Sequence, residues 1–347
     1  MAVKFTLKVA EIRKETEDTF TFCFKQPSLK KVKYRPGQYL TLVFRINGRR
    51  YIRPYSFSSA PEVDATLNLT IKRMYGGMVS NHIIDKVKVD DLVEMFEPMG
   101  NFTLPDTNKV LDKRLVLWGS GSGITPLFSI AKSALNKGIA SHITLVYGNR
   151  SKETTIFFNE LASMQSAFPG KFAVWHFYTR STFDFSSPYL VEGRIAPERV
   201  LEVLKEEGDI SNTFHFICGP EGLKRSVKKA LSDLNIGQDK IFSEDFEVVK
   251  DPKDFEGIET RDVKLVVDGV ESFVEVVKGK SILEAGLDAM LELNYSCQTG
   301  DCMLCKGYLA EGDVKTIGVK KTIEMEQRYC LMCCSYPLTD NVSIEIK

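Results

Sequence analysis

The sequence predicts a multidomain protein: an antiparallel β-barrel, then a doubly wound α/β domain on a parallel sheet, then a small α+β domain. Three observations predict it. Through the first part of the chain, short β-branched and aromatic runs follow one another between Gly, Pro and Asn turns. From Lys113 the rhythm becomes apolar strand, glycine-rich turn and amphipathic helix. Near the end, six of the eight cysteines fall between Cys297 and Cys334. A chain of 347 residues also exceeds the size at which a single hydrophobic core keeps growing.

The barrel is read from "KFTLKVAEI", "TFTFCFK", "QYLTLVFRI", "YIRPYSFS" and "ATLNLTIKR", strands at the spacing of a small closed antiparallel sheet. The parallel sheet is read from "RLVLWGSGSGITPLFSIAKSALNKG", "HITLVYGNR", "FAVWHFYTR", "TFHFICGPEGLKRSVKKALSDL" and "KIFSEDF". "EVVKDPKDFEGIETRD" is charged, holds Pro and Gly and lacks apolar periodicity, which predicts a linker whose composition permits swinging. "VKLVVDGVESFVEVVKGKSILEAGLDA" then reads as a hairpin followed by an amphipathic helix. The expected segments are 1–104, 105–246, a linker over 247–260, and 261–347.

Lys plus Arg equals Asp plus Glu at 46 each, so no net field gathers nucleic acid or an anionic membrane. The opening "MAVKFTLKVAEIRKE" lacks the apolar stretch of a signal peptide, and no run of eighteen apolar residues follows. A cytoplasmic protein without membrane insertion is expected. In that compartment thiols stay reduced, which makes metal binding the leading explanation of the cysteine cluster.

Cys297, Cys302 and Cys305 are spaced C-x4-C-x2-C, which with one distant cysteine is the plant-type arrangement for a 2Fe-2S cluster. Three candidates for the fourth ligand lie in "YCLMCCSYP". An alternative stands beside this one: Cys302, Cys305, Cys330 and Cys333 also form two C-x2-C pairs, a zinc-ribbon signature. Zinc leaves Cys297 and Cys334 unexplained. "WGSGSGITP" follows an apolar strand and precedes a helix, the context of a phosphate-binding turn. There Gly119, Gly121 and Gly123 let backbone approach a pyrophosphate, and Thr125 with Pro126 starts the helix whose positive end faces it. "YRPGQYL" reads as a turn at Pro36 and Gly37 or as a family-like element, and no chemistry is assigned to it.

"RPYS" at Arg53–Ser56, "GGMVS" at Gly76–Ser80 and "FEPMGNF", in that order, resemble the flavin domain of the ferredoxin–NADP reductase superfamily. "WGSGSGITP", "CGPEGL" and "SEDF" match the same superfamily's nucleotide domain. The cysteine stretch is similar to plant-type ferredoxins, in which the last ligand precedes proline by four; Cys333 holds that place before Pro337. This resemblance implies a β-grasp fold for the last domain. Such loops usually carry a small residue where Met303 stands, and backbone donors near the sulfurs tune potential, so Met303 bears on the cluster's potential.

The resemblance implies FAD on the barrel, contacted by Arg53, Pro54, Tyr55 and Ser56. In it Arg53 pairs with the pyrophosphate, Tyr55 stacks on the flat ring system and Ser56 hydrogen-bonds near the reactive ring nitrogen. Gly76, Gly77, Met78, Val79 and Ser80 form the opposing anion site at a helix start. Cys218, Gly219 and Pro220 lie beside the nicotinamide, and Glu244 and Phe246 approach the flavin. Cys218 is read equally as a buried core thiol. The nucleotide is NADPH or NADH; Arg150 and Arg180 at strand ends, with Thr179, favour a 2′-phosphate and hence NADPH.

The whole chain resembles the cluster-bearing reductase components of bacterial oxygenases, and within them the reductases of phenylacetyl-CoA epoxygenase systems. That implies an NAD(P)H oxidoreductase sending electrons through FAD and a 2Fe-2S cluster to an oxygenase or hydroxylase partner. Rival readings are a desaturase or another one-electron acceptor protein as client, or a non-enzymatic zinc-ribbon interaction protein. His82, His142, His176 and His215 sit in separate elements and are read as structural.

Overall fold

A computed structural model describes residues 4–27, 31–105, 111–180, 189–246, 250–319 and 325–346. The chain folds as two compact units. Val43–Pro54 groups with Phe246–Lys347, and Val3–Leu42 groups with Tyr55–Asp245.

The N-terminal strands are β1 (Lys4–Thr16), β2 (Thr19–Lys25), β3 (Tyr39–Ile46), β4 (Arg49–Ser56), β5 (Thr66–Lys72) and β6 (Leu92–Met99). They form one six-stranded sheet in the order β4-β3-β6-β1-β2-β5. An antiparallel bridge from Phe57, just past β4, to Leu69 on β5 closes the sheet into the expected barrel. Phe22, Phe24, Leu67, Leu69 and Ile71 are buried in it. Three hydroxyls share that interior, with Thr21 and Ser58 each 2.7 Å from Thr70 Oγ1, so no buried hydroxyl among them lacks a partner. Helix α1 (Met78–Lys86) follows β5.

The middle domain builds a sheet in the order β10-β9-β8-β7-β11-β12, all its pairs parallel. Its strands are β7 (Lys113–Ser120), β8 (Ala140–Asn149), β9 (Phe172–Tyr178), β10 (Leu190–Glu192), β11 (Thr213–Cys218) and β12 (Ile241–Glu244). Helices α2 (Ile124–Lys137), α3 (Phe158–Ala167), α4 (Pro197–Glu206) and α5 (Glu221–Asp233) cover it. Strand β7 shows why its central run, Leu115 to Trp118, is continuously apolar. Leu115 and Leu117 pack into one core layer with Leu127 and Leu161, while Val116 and Trp118 pack into the other with Val200 and Val227. Helix α2 stops where Gly138 takes the left-handed conformation (φ 62°) that caps a helix end without a Cβ clash.

The C-terminal strands β13 (Arg261–Val267), β14 (Val270–Val276), β15 (Lys306–Glu311), β17 (Tyr329–Leu331) and β19 (Ser343–Ile346) form a mixed sheet ordered β14-β13-β19-β15-β17. Strands β13 and β19 run parallel, and a small pair, β16 (Val314–Thr316) with β18 (Ser335–Pro337), lies beside them. Helix α6 (Ile282–Asp288) starts on a reciprocal cap: the Ser281 hydroxyl accepts from the Glu284 amide, and Glu284 accepts from the Ser281 amide at 2.8 Å.

Residues 247–249 of the expected linker lie outside the described residues. The rest of that stretch is anchored, contrary to its polar composition. Ile258 is 1% exposed beside Ile317 and Tyr336, Phe255 meets Tyr336 edge-on, and Lys315 donates to the Asp254 carbonyl at 2.7 Å. Two apolar side chains in a charged stretch suffice to fix it, because burial counts area and not average polarity.

Candidate active site

Parallel sheets expose their strands' carboxyl ends where the strand order reverses, here between β7 and β11. Pairing sets Gly119 of β7 opposite Cys218 of β11, and Cys218 opposite Glu244 of β12. The three residues named from separate motifs therefore stand at one level of the sheet. Beyond Gly119, Gly121 adopts φ 54°, and α2 begins at Ile124 with no acidic residue in its first turn. A side chain on Gly123 would run into the Cys218 carbonyl, and one on Gly219 would come within 2.8 Å of Leu223. Thr125 donates to the Ser122 carbonyl at 3.0 Å and, with Pro126, is buried at the start of α2.

The Cys218 thiol is fully buried within the apolar core. Burial, and then the charge of Glu244, push it well above the usual thiol range. It stays protonated at neutral pH. Phe246 lies beyond β12 and is 49% exposed. Arg150 and Arg180 end adjacent strands; both are exposed, and the Arg180 amide donates to the Arg150 carbonyl at 2.7 Å. The four histidines occupy α1, β8, β9 and β11 and do not gather.

Strand β4 carries Arg53, Pro54, Tyr55 and Ser56, with Ser56 buried. At α1, Gly76 takes φ 68° and Gly77 is the first flanking residue. Among the described residues no side chain caps this helix start. Met78 is exposed, while Val79 is buried beneath it. The Ser80 hydroxyl is buried and accepts from the Met74 amide at 3.1 Å, so it braces the turn as well as offering its proton. Arg53 Nη1 donates to its neighbour's carbonyl, Ile52 O, at 2.8 Å, and to Tyr295 Oη at 3.4 Å.

The cysteine loop wraps backbone around sulfur. The amides of Thr299, Asp301 and Cys302 donate to Cys297 Sγ at 3.4, 3.4 and 3.3 Å. The Cys297 amide donates to Cys302 Sγ at 3.5 Å. A hydrogen bond from Cys302, together with those amides, lowers Cys297 to about 5 despite its burial. Cys302 and Cys305 move up, each led by the hydrogen bond to its partner thiol, Cys297 and Cys333 respectively. For Cys333 the bond from Cys305 lowers, but Cys334 and burial together win and raise it. Cys297 and Cys302 are thus joined reciprocally, each sulfur accepting from the other residue's amide. Among the described residues no three His, Cys, Asp or Glu side chains converge on a single point.

Gly300 takes φ 73°, and a Cβ there would touch Val319 at 3.0 Å and Cys334 Sγ at 3.2 Å. Its need is close approach. Met303 also takes a left-handed φ, 61°, with its side chain 37% exposed, so the departure from a small residue is absorbed outward. The Cys333 and Cys334 sulfurs are 3.6 Å apart, and Cys330 is buried near Ser335.

Three family models cover the chain: an oxidoreductase FAD-binding domain over 6–104, an oxidoreductase NAD-binding domain over 117–229, and a 2Fe-2S iron-sulfur cluster binding domain over 265–338. The ferredoxin reductase component of 3-ketosteroid-9-alpha-monooxygenase from Rhodococcus rhodochrous is 30% identical over 98% of this chain and 96% of its own length. The chain belongs to the family of oxygenase reductase components.

A component of the 1,2-phenylacetyl-CoA epoxidase of Escherichia coli K12 is 28% identical to this reductase, over 99% of this chain and 98% of that one. Phthalate dioxygenase reductase shares the fold with a TM-score of 0.66 and 23% identity, across 99% of this chain and 98% of that one. The reductase carries FAD, NAD(P)H and 2Fe-2S domains and passes electrons from NAD(P)H through FAD and the cluster to an oxygenase. The match over the cysteine loop sets aside the zinc-ribbon alternative. The donor set agrees: a 2Fe-2S cluster takes four thiolates, and the loop brings Cys297, Cys302 and Cys305 together with amides aimed at the first two sulfurs. Among the described residues no helix is long and apolar enough to cross a membrane.

Tyr295 is the residue that reasoning from the sequence missed. Its signal was slight, an aromatic two positions before the first ligand. The Ile52 amide donates to Tyr295 Oη at 3.1 Å, a contact within one compact unit.

Proposed function

We propose that the reductase is NADPH-dependent and cytoplasmic, and that it serves an oxygenase of the phenylacetyl-CoA epoxidase type. When bound, the nicotinamide supplies a hydride, the flavin divides the pair, and the cluster carries single electrons outward. The residues of this chain bind and orient. Gly119, Gly121, Gly123 and the start of α2, with Thr125 and Pro126, receive the nucleotide's pyrophosphate, and Cys218, Gly219 and Pro220 border the nicotinamide. Arg53 and the amides of Met78, Val79 and Ser80 hold the flavin's phosphates, Tyr55 and Pro54 its ring face, and Ser56 gives a hydroxyl beside the reacting atom. Glu244 and Phe246 approach the flavin. Cys297, Cys302, Cys305 and Cys333 would hold the cluster.

The observation that carries the reading is the level set by the register, with Gly119, Cys218 and Glu244 side by side at the strand ends. For the nucleotide, the joined chain ends at Arg150 and Arg180 support a 2′-phosphate site, since a guanidinium fork matches phosphate oxygens. The near full-length likeness to the Escherichia coli epoxidase component supports the client class. The relative at 30% identity supports a second reading, a ketosteroid-type monooxygenase as client.

An anaerobic visible titration with NADPH and, separately, NADH tests the donor: faster bleaching of flavin and cluster bands with NADPH is expected, and faster bleaching with NADH overturns the choice. Product formation with a purified phenylacetyl-CoA epoxidase oxygenase component, set against a ketosteroid monooxygenase component, tests the client. Turnover with the ketosteroid component alone favours the second reading.

A further inference from the structure

One buried phenol ties the cluster loop to strand β4. Tyr295 is 3% exposed, and its Oη accepts from the Ile52 amide at 3.1 Å and from Arg53 Nη1 at 3.4 Å. Ile52 is itself fully buried, so removing the phenol leaves a buried amide without an acceptor, which is costly. Around this contact the charges sort by segment. The β3–β4 hairpin brings Arg45, Arg49 and Arg50. The chain from α6 to the loop brings Asp288, Glu292 and the Leu293 carbonyl. The pairs are Arg45 with Glu292 at 2.6 Å, Arg49 with Asp288 at 3.0 Å, and Arg50 Nη1 with Leu293 O at 3.5 Å.

These ion pairs lie at the surface, 58% and 60% exposed in the case of Glu292 and Arg45, where salt screens them and each contributes little. They can steer the two segments together but not fix a geometry. The buried phenol can. Tyr295 is two residues from Cys297, so from the Arg53 guanidinium the route to the first ligand sulfur crosses one hydrogen bond and is covalent thereafter.

We infer that Tyr295 is a positioning residue for electron transfer, holding the cluster loop at a fixed spacing from the strand that carries Arg53. The inference rests on the proposed reading of β4 as the flavin-holding strand. It assigns no proton or bond change to Tyr295; the phenol sets geometry alone.

The test is stopped-flow spectroscopy of the FAD- and cluster-loaded protein mixed with NADPH, reading flavin and cluster bands separately, with amide hydrogen exchange at Ile52 as a second readout. Tyr295→Phe keeps the ring and removes the acceptor. Flavin bleaching at the wild-type rate, cluster bleaching slowed roughly tenfold or more, and faster exchange at Ile52 are expected. Cluster bleaching at the wild-type rate overturns the inference. The exposed variant Glu292→Arg gives a second arm: slower cluster bleaching restored by adding Arg45→Glu supports the steering by charge, and no rescue in the double variant overturns that part. Should β4 not hold the flavin, Arg53→Ala retains full FAD occupancy, an outcome distinct from any result with Tyr295.

Discussion

Gly123 lies so close under the carbonyl of Cys218 that a methyl group on it would overlap that oxygen. The contact is backbone against backbone, with no flexible side chain to yield. It locks the glycine-rich turn to the end of strand β11, and makes the absence of a side chain at 123 a structural demand.

Gly123→Ala should therefore act on both stability and nucleotide use. Overpacking of this kind costs about 1–3 kcal/mol, and the displaced turn should raise KM for NADPH while dithionite still reduces the cluster. Urea denaturation and steady-state kinetics with ferricyanide check it. An alanine variant with wild-type KM would show that the turn can shift freely.

The ligand assignment is testable one cysteine at a time. Cys305→Ser and Cys333→Ser should lose the cluster, measured as iron and sulfide content, while NAD(P)H still bleaches the flavin. Cys334→Ser should keep both, although its sulfur is 3.6 Å from that of Cys333. Loss of the cluster in Cys334→Ser alone would move the fourth ligand by one residue.

Arg150 and Arg180 are exposed and held together through the chain by one amide. If they meet the 2′-phosphate, Arg150→Ala should raise KM for NADPH roughly tenfold, the equivalent of one charged hydrogen bond, and leave NADH unchanged. Equal losses with both nucleotides would remove the discriminating role.

Two buried histidines predict how stability responds to acid. Burial lowers His176 to about 4 and His215 to about 3, and the Trp118 indole donates to His215 Nδ1 at 3.3 Å, which requires that nitrogen unprotonated. Between these values and the ordinary 6.5, the unfolded chain binds protons that the folded one does not. Stability is thus complete above that ordinary value and falls as pH drops towards the folded values, by up to about 1.4 kcal/mol per pH unit for each histidine. Among the described residues His176 Nδ1 has no hydrogen-bond partner, and its ring stacks on Tyr178, so His176→Phe should flatten the acid side of the profile. Urea midpoints on either side of the window check it; a variant as acid-sensitive as wild type would exclude His176 as a contributor.

Much of the fold and part of the site are local properties of the sequence. Continuous apolarity in β7, where alternate residues serve two core layers, requires a strand covered on both faces. The C-x4-C-x2-C spacing places three thiols and their amide donors on one short loop, and Gly121 and Gly300 stand where left-handed backbone is needed. Such features depend on neighbours in the chain, so they are readable without a fold. The level shared by Gly119, Cys218 and Glu244, the anchoring of Ile258 in a charged stretch, the grouping of Val43–Pro54 with the C-terminal residues, and the hydrogen bond from Ile52 to Tyr295 were decided only by tertiary structure. Each joins residues far apart in sequence. Register and packing between distant segments follow from apolar area buried and polar groups satisfied over the whole molecule, quantities that no window of sequence contains.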